Sequence, residues 1–244
     1  MSAHPLVGHH LSEAEHLLAH ADDNLVLAQR LGEWISRAPE LEEDIAIGNI
    51  ALDHLGVARA LYTRAGELEG LGRGEDDFAM SRPEREYRNL LLVEQPNGDF
   101  AQTMVRGLFF DAYQVGLWDG MAGVDDTELT GIAGRALKEA RYHLLHSSTW
   151  VVRLGDGTDE SHRRAQEAVD RLWRYTDEML EELIPIRRHA WGRVVSAVLA
   201  EATLQVPEDP YQRGGGRRGL HSEHLGPLLA EMQWMQRSYA GLRW

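Results

Sequence analysis

The sequence predicts an all-α protein, a four-helix bundle with additional helices. Three observations lead there. Four stretches of about 20–28 residues carry apolar side chains at alternating three- and four-residue spacing, the repeat of one helical face. No stretch of useful length alternates apolar and polar residues with period 2, as a half-buried strand does. Prolines and clusters of glycine and capping residues fall between the long stretches. No internal repeat is visible.

The elements follow in order. Residues 1–16 are expected to be a flexible, His-containing extension ahead of a single helical domain over residues 17–244. The extension holds His9, His10 and His16, with His20 close behind. His16 and His20 have the i,i+4 spacing that can clip a metal. No carboxylate completes that set, so a solvated helix edge is the simpler reading. A helical pattern runs from Glu13 to Arg37. Pro39, followed by Glu40, Glu42, Glu43 and Asp44, marks the next start. Proline suits a first turn, and acids there oppose the positive end of the macrodipole. That helix runs to Leu68, before Gly70, Gly72 and Gly74 break it. Ser81-Arg82-Pro83-Glu84 reads as a capping box ahead of a short helix over 82–92. Gln95-Pro96-Asn97-Gly98-Asp99 is a turn. A third long helix covers 100–121. Asp125, Asp126 and Thr127 offer caps for a fourth, which Gly155-Asp156-Gly157 stops. A fifth covers 161–183, ending near Pro185, and a sixth covers 186–202. Residues 206–219 form a basic loop with Arg213, Arg217 and Arg218, and a last helix spans 222–239.

The chain has 244 residues, of which 43% are apolar. That length lets a domain bury roughly 70–75% of its extended surface without staples. With 25 basic and 39 acidic residues the formal net charge is −14. Such a surface disfavours a sequence-independent grip on nucleic acid and is repelled by anionic membranes. The same charge suits a basic protein partner. There are no cysteines, which removes disulfides, thiolate metal sites and cysteine nucleophiles and fits a reducing cytoplasm. The N-terminus lacks a basic-then-apolar signal pattern, and no apolar run approaches the length of a membrane span. A soluble, cytoplasmic protein is expected.

Polar residues interrupt the apolar stripes at informative places. The second helix carries Ile47, Ile50, His54, Val57 and Leu61 on one face. The third carries Met104, Leu108, Asp111, Val115 and Trp118, and the fourth Ile132, Ala136, Ala140, His143 and Ser147. On the first, Glu33 lies between Val26 and Trp34. A carboxylate buried alone costs several kcal/mol or neutralises itself. Asp111 therefore needs a partner: His143, Arg30, a water or a metal. Di-iron carboxylate bundles use a Glu from each of two helices and Glu-x-x-His from each of two others, because that spacing puts both donors on one face. Here Glu-x-x-His occurs only at Glu13–His16. In the fourth helix Glu139 precedes His143 by four residues, one too many, and Asp53-His54 has no second donor at Val57. The donor set is short.

Four segments carry a resemblance. They are Asn24–Trp34 (NLVLAQRLGEW), Asn89–Gly98 (NLLLVEQPNG), Lys138–His143 (KEARYH), and Gly219–Pro227 (GLHSEHLGP) with Ala230–Gln233 (AEMQ). They resemble the phenylacetyl-CoA epoxidase (ring-1,2-phenylacetyl-CoA monooxygenase) family, on the side of its structural component. The likeness covers residues 17–244. It implies a ferritin-like fold and a homologous catalytic sister that carries the di-iron site. It further implies a small bridging subunit and a reductase with FAD and an iron–sulfur cluster. The sister's second helix reads Asp-Glu-Leu-Gly-His where this chain has Asp53-His-Leu-Gly-Val57, so a ligand Glu becomes His54 and a ligand His becomes Val57. Its fourth helix reads Lys-Glu-Glu-x-x-His where this chain has Lys138-Glu-Ala-x-x-His143, so a ligand Glu becomes Ala140 while His143 survives. Glu33 and Asp111 match the remaining carboxylate positions.

The resemblance thus implies no catalytic residue, metal or cofactor in this chain. Glu33, His54, Asp111 and His143 would be a relic cluster, paired among themselves and with Arg30 or Arg141. Phenylacetyl-CoA would be bound mainly by the partner, in an oxygen- and NADPH-dependent epoxidation of the ring. Arg82, Arg85, Tyr87 and Arg88 form a basic-aromatic patch of the kind that suits coenzyme A phosphates and adenine. Glu86, Tyr87, Arg88 and Asn89 are accordingly candidates for the edge of the partner's substrate site; a solvated helix face is the alternative. His221 and His224 are read as capping a helix or meeting a partner. Two other functions stay open. One is an independent carboxylate-bridged iron enzyme using Glu33, Asp111, Glu139 and His143. The other is a metal-free bundle unrelated to epoxidation.

Overall fold

The structure is a computed structural model that describes residues 12–208 and 211–239. His9, His10 and Pro210 lie outside the described residues. The described residues are helical without a strand, consistent with the expected ferritin-like helical fold. In chain order the helices are α1 (Glu13–Gly32), α2 (Leu41–Glu69), α3 (Glu75–Met80), α4 (Leu91–Glu94), α5 (Phe100–Met121) and α6 (Thr127–Gly155). They continue with α7 (Asp159–Leu172), α8 (Thr176–Leu180), α9 (Pro185–Glu201), α10 (Leu225–Met232) and α11 (Trp234–Ser238). Short 3-10 turns occur at Glu84–Glu86, Trp173–Tyr175 and Gly216–Arg218. The chain divides into two compact units. One joins the stretch ending at Pro96 to the stretch beginning at Gly214; the other is Asn97–Arg213.

The first unit is built on the α1–α2 hairpin. Ser12 and Glu15 cap α1 reciprocally: the Ser12 hydroxyl accepts from the Glu15 amide and the Glu15 carboxylate accepts from the Ser12 amide. Glu13–His16 is therefore helical, not part of a loose extension. The helix ends at Gly32 rather than Arg37. Ser36 takes φ 67°, a left-handed value, and the residue before Pro39 is disfavoured in helical geometry. Helix α2 carries Glu42, Glu43 and Asp44 in its first turn and stops at Gly70, which adopts φ 70°. Ile47, Ile50, His54, Val57 and Leu61 are all buried, as their spacing predicts.

Two expectations fail in this unit, for tertiary reasons. Residues 82–92 do not form one helix, and no side chain caps the turn after Pro83. Backbone amides that a helix would use are taken by carboxylates of α1. The Arg88 amide donates to Asp22 at 2.8 Å and the Leu90 amide to Asp23 at 2.7 Å. The chain runs extended there before the single turn of α4. Likewise the last helix is split into α10 and α11 at Gln233. Its side-chain amide donates to the Ala79 and Arg82 carbonyls and the Tyr87 hydroxyl, each at 3.1 Å. Helix α3 was not foreseen; its Phe78 stacks on Tyr62 with ring centroids 5.9 Å apart.

The second unit is centred on α5 and α6. Asp99 caps α5, accepting from the Gln102 amide at 2.9 Å, and the helix spans the expected residues. Asp126 caps α6 through the Glu128 and Leu129 amides. That helix stops at Gly155, where a side chain would meet the Ala202 carbonyl oxygen. The expected fifth helix is interrupted at Trp173–Tyr175. Trp173 sits edge-on against Phe109 at 5.5 Å and tilted against Trp191 at 5.9 Å. The Arg174 carbonyl is turned outward to accept from the Arg213 amide at 2.7 Å. Periodicity could not register either contact.

Candidate functional site

Each unit buries polar residues, and the two sets are chemically different. In the first unit α1 presents two adjacent aspartates, both with 0% exposure. Asp22 accepts from the Tyr62 hydroxyl at 2.6 Å, from the Arg88 amide, and from both terminal nitrogens of Arg82. Asp23 accepts from the Leu90 amide and is gripped by Arg217 at 2.9 and 2.7 Å. Glu94, also at 0%, accepts from Asn89, from His221 at 2.9 Å and from the Ser222 amide at 2.6 Å. These charges are paired and hydrogen-bonded, the condition under which burial is tolerated.

His221 sits between two hydrogen-bond acceptors. Its Nδ1 faces Glu94, and its Nε2 lies 3.0 Å from the Tyr87 carbonyl oxygen. Both neighbours are acceptors, which favours the ring that donates from both nitrogens, the imidazolium. Burial opposes that charge, but the bond to Glu94, its charge and the Tyr87 carbonyl outweigh it. The pKa lies above the ordinary 6.5. His221 thus belongs to the interior rather than to a helix cap, while His224 occupies the N-cap position of α10 without a side-chain capping bond.

The expected relic residues fall as follows. Glu33 lies just past α1, as its C-cap, and is paired with Arg30 at 2.8 Å. Arg30 also donates to the carbonyls of Glu94 and His224. His54 is buried and lies 2.8 Å, through Nδ1, from the side-chain oxygen of Asn24, whose own amide group donates to the His20 carbonyl. Asn24 therefore accepts and His54 donates through Nδ1. His20 is buried at 2% exposure, with Asp23 3.8 Å away, so it is not on a solvated edge. His16 instead donates to the Ser12 carbonyl at 3.0 Å.

In the second unit Asp111 accepts from the Ser147 hydroxyl at 2.8 Å. Burial pushes its carboxyl up to about 8 from 3.8; Ser147 and the charge of Arg106 pull the other way and lose. Asp111 is thus largely protonated at neutral pH. His143 is buried one turn before Ser147 on α6. Arg141 is exposed, so it does not neutralise a buried carboxylate.

The basic-aromatic patch is corrected. Arg82 and Tyr87 point inward, with exposures of 5% and 0%. Arg82 is spent on Asp22, and the Tyr87 hydroxyl donates to the Ala79 carbonyl. Of the four substrate-edge candidates, Tyr87 and Asn89 are buried, Arg88 is half-buried and Glu86 is exposed. Segment 82–89 is held to the interior by Arg82, Tyr87 and Asn89, while residues 83–86 between them are exposed. Sequence reasoning missed Asp22, Asp23 and Glu94. The one signal was three acids among apolar neighbours, in LAHADDNLVL and LLLVEQP.

The donor chemistry does not fit a di-iron centre. Two bridged irons require carboxylates and histidines at Glu-x-x-His spacing. Val57 and Ala140, which the resemblance puts at two of those positions, are both buried and apolar.

The chain matches the family described as phenylacetic acid catabolic protein over residues 9–183 and 187–244. It is 49% identical over 237 residues to the C component of the 1,2-phenylacetyl-CoA epoxidase of Escherichia coli (strain K12). The match covers 91% of this chain and 95% of that protein.

Proposed function

Because the chain belongs to the phenylacetic acid catabolic protein family, we propose that it is a non-catalytic structural subunit of a multicomponent di-iron monooxygenase. That enzyme epoxidises the ring of phenylacetyl-CoA in aerobic phenylacetate catabolism, in the cytoplasm. The observation that carries the reading is the pair of apolar side chains, Val57 and Ala140, where the donor pattern needs ligands. The iron chemistry belongs to a homologous catalytic partner. Electrons from NADPH reach that partner through a reductase with FAD and an iron–sulfur cluster, in a complex that also holds a small bridging subunit. This chain's own residues hold helices in register: Asp22 and Asp23 fix segment 87–90, and Glu94 with His221 fixes the C-terminal stretch. The independent iron enzyme is disfavoured because Glu33 is paired with Arg30 and because Val57 and Ala140 offer no donor.

The test is reconstitution. The chain alone should consume no oxygen with phenylacetyl-CoA, reductase and NADPH. Adding the catalytic partner should give a stable complex and turnover exceeding that of the partner by itself. Turnover by the chain without that partner, or failure of the two to associate, would overturn the proposal.

A further inference from the structure

Helix α2 is apolar on two sides. One side, with Ile47, Ile50, Val57 and Leu61, is buried. The other carries Ile45 and Leu52, which are 57% and 64% exposed, with Leu41 and Leu55 along the same stripe. From Ile45 the positions run Ile45, Gly48, Leu52, Leu55: steps of 3, 4 and 3, the seam spacing of a helix that meets another helix. Between this stripe and α1 lies a groove of about 430 Å³, whose lining includes Leu25, Ala28, Ile35 and Ala51. Ile35 at its end is 62% exposed. Contiguous exposed aliphatic surface of this kind marks an interaction site.

The glycines sharpen the shape. Gly32 and Gly48 line the groove and Gly56 follows Leu55 at its edge in sequence; a Cβ added at any of them would meet nothing within 4 Å. A glycine inside a helix is destabilising relative to alanine, and nothing within the chain requires one at Gly48 or Gly56. Open space above a helical glycine suits close approach by a second helix.

Charge selects the occupant. The stripe begins beside Glu40, Glu42 and Asp44. The basic residues further along α2 are engaged within the chain, Arg59 with Glu75 and Arg64 with Glu67. A second copy would bring another −14 of charge and the same acidic turn. We propose that the α1–α2 groove docks an amphipathic helix of a different protein chain, with aliphatic residues at three- and four-residue spacing and lysine or arginine along its flanks. Resting on the reading of this chain as a structural subunit, the inference assigns that helix to the catalytic partner.

The test uses the full-length chain and the catalytic partner. Ile45→Asp and Leu52→Asp replace exposed side chains, so circular dichroism and thermal melting should be unchanged. Binding measured by calorimetry should weaken at least tenfold for each. A photo-crosslinking residue at Asn49, in the groove, should capture a helix of the catalytic partner that carries flanking basic residues. A wild-type chain that binds and variants that bind equally tightly would overturn the docking face alone. Crosslinking only to a second copy of the chain, or to no helix, would also overturn it. A wild-type chain that does not bind the catalytic partner would overturn both this inference and the reading it rests on.

Discussion

Asp111 shows how far a single residue can be read. Its place in an apolar stripe was visible from spacing alone, and so was the need for a partner. The partner's identity, Ser147, was not: it lay on the fourth helix's stripe, but spacing along one helix does not say which residue of another it meets. The stability consequence has a definite sign. The folded carboxyl holds its proton to about 8, the unfolded one loses it near 3.8. Between those values the folded state binds an extra proton, so stability falls as pH rises through the window. Asp111→Asn keeps an oxygen for Ser147 and removes the titration. The variant should be more stable than wild type at pH 8 by about 1–3 kcal/mol, with the gap closing toward pH 5. Urea unfolding at the two pH values measures it; parallel profiles would contradict the assignment.

At the scale of elements, boundaries set by local chemistry were legible and those set by distant contacts were not. Helix α5 was legible from Asp99 to Met121, and α6 from its Asp126 cap to Gly155. The break between α10 and α11, and the extended run at 87–90, depend on Gln233 and on Asp22 and Asp23 reaching across the fold. Two predictions belong here. Asp22→Ala strands the buried Arg82 guanidinium and should cost about 3–5 kcal/mol. Adding Arg82→Met should recover part of that loss in chemical denaturation. No recovery would mean that Asp22 acts through the Arg88 amide and Tyr62 instead. The second concerns the His221–Glu94 pair, which ties the C-terminal stretch to α4. His221 has a raised pKa, so its stabilisation is full below 6.5 and is lost as pH rises through the higher folded value. His221→Gln should cost about 1–3 kcal/mol at pH 6 and less at higher pH. Hydrogen exchange of residues 222–239 reads that out, and an equal loss at every pH would refute an imidazolium.

For the whole molecule, the helical class followed from period and punctuation, and no helix among the described residues is long and apolar enough to cross a membrane. The division into two compact units was not legible, since both are helical. The functional candidates split by another rule. The stripe residues His54, Asp111 and His143 were found because a polar group interrupts an apolar period. The network of Asp22, Asp23 and Glu94 was hidden because its partners, Arg82, Arg217 and His221, lie far away in sequence. What joins the scales is the claim that a chain of this family has turned ligand positions into packing positions. Metal analysis tests it most directly, on the chain purified from iron-replete cells alone and in complex with the catalytic partner. The account predicts no stoichiometric iron in the chain alone and iron in the complex that tracks the catalytic partner. About two irons bound per copy of this chain alone, the content of an intact carboxylate-bridged site, would contradict it.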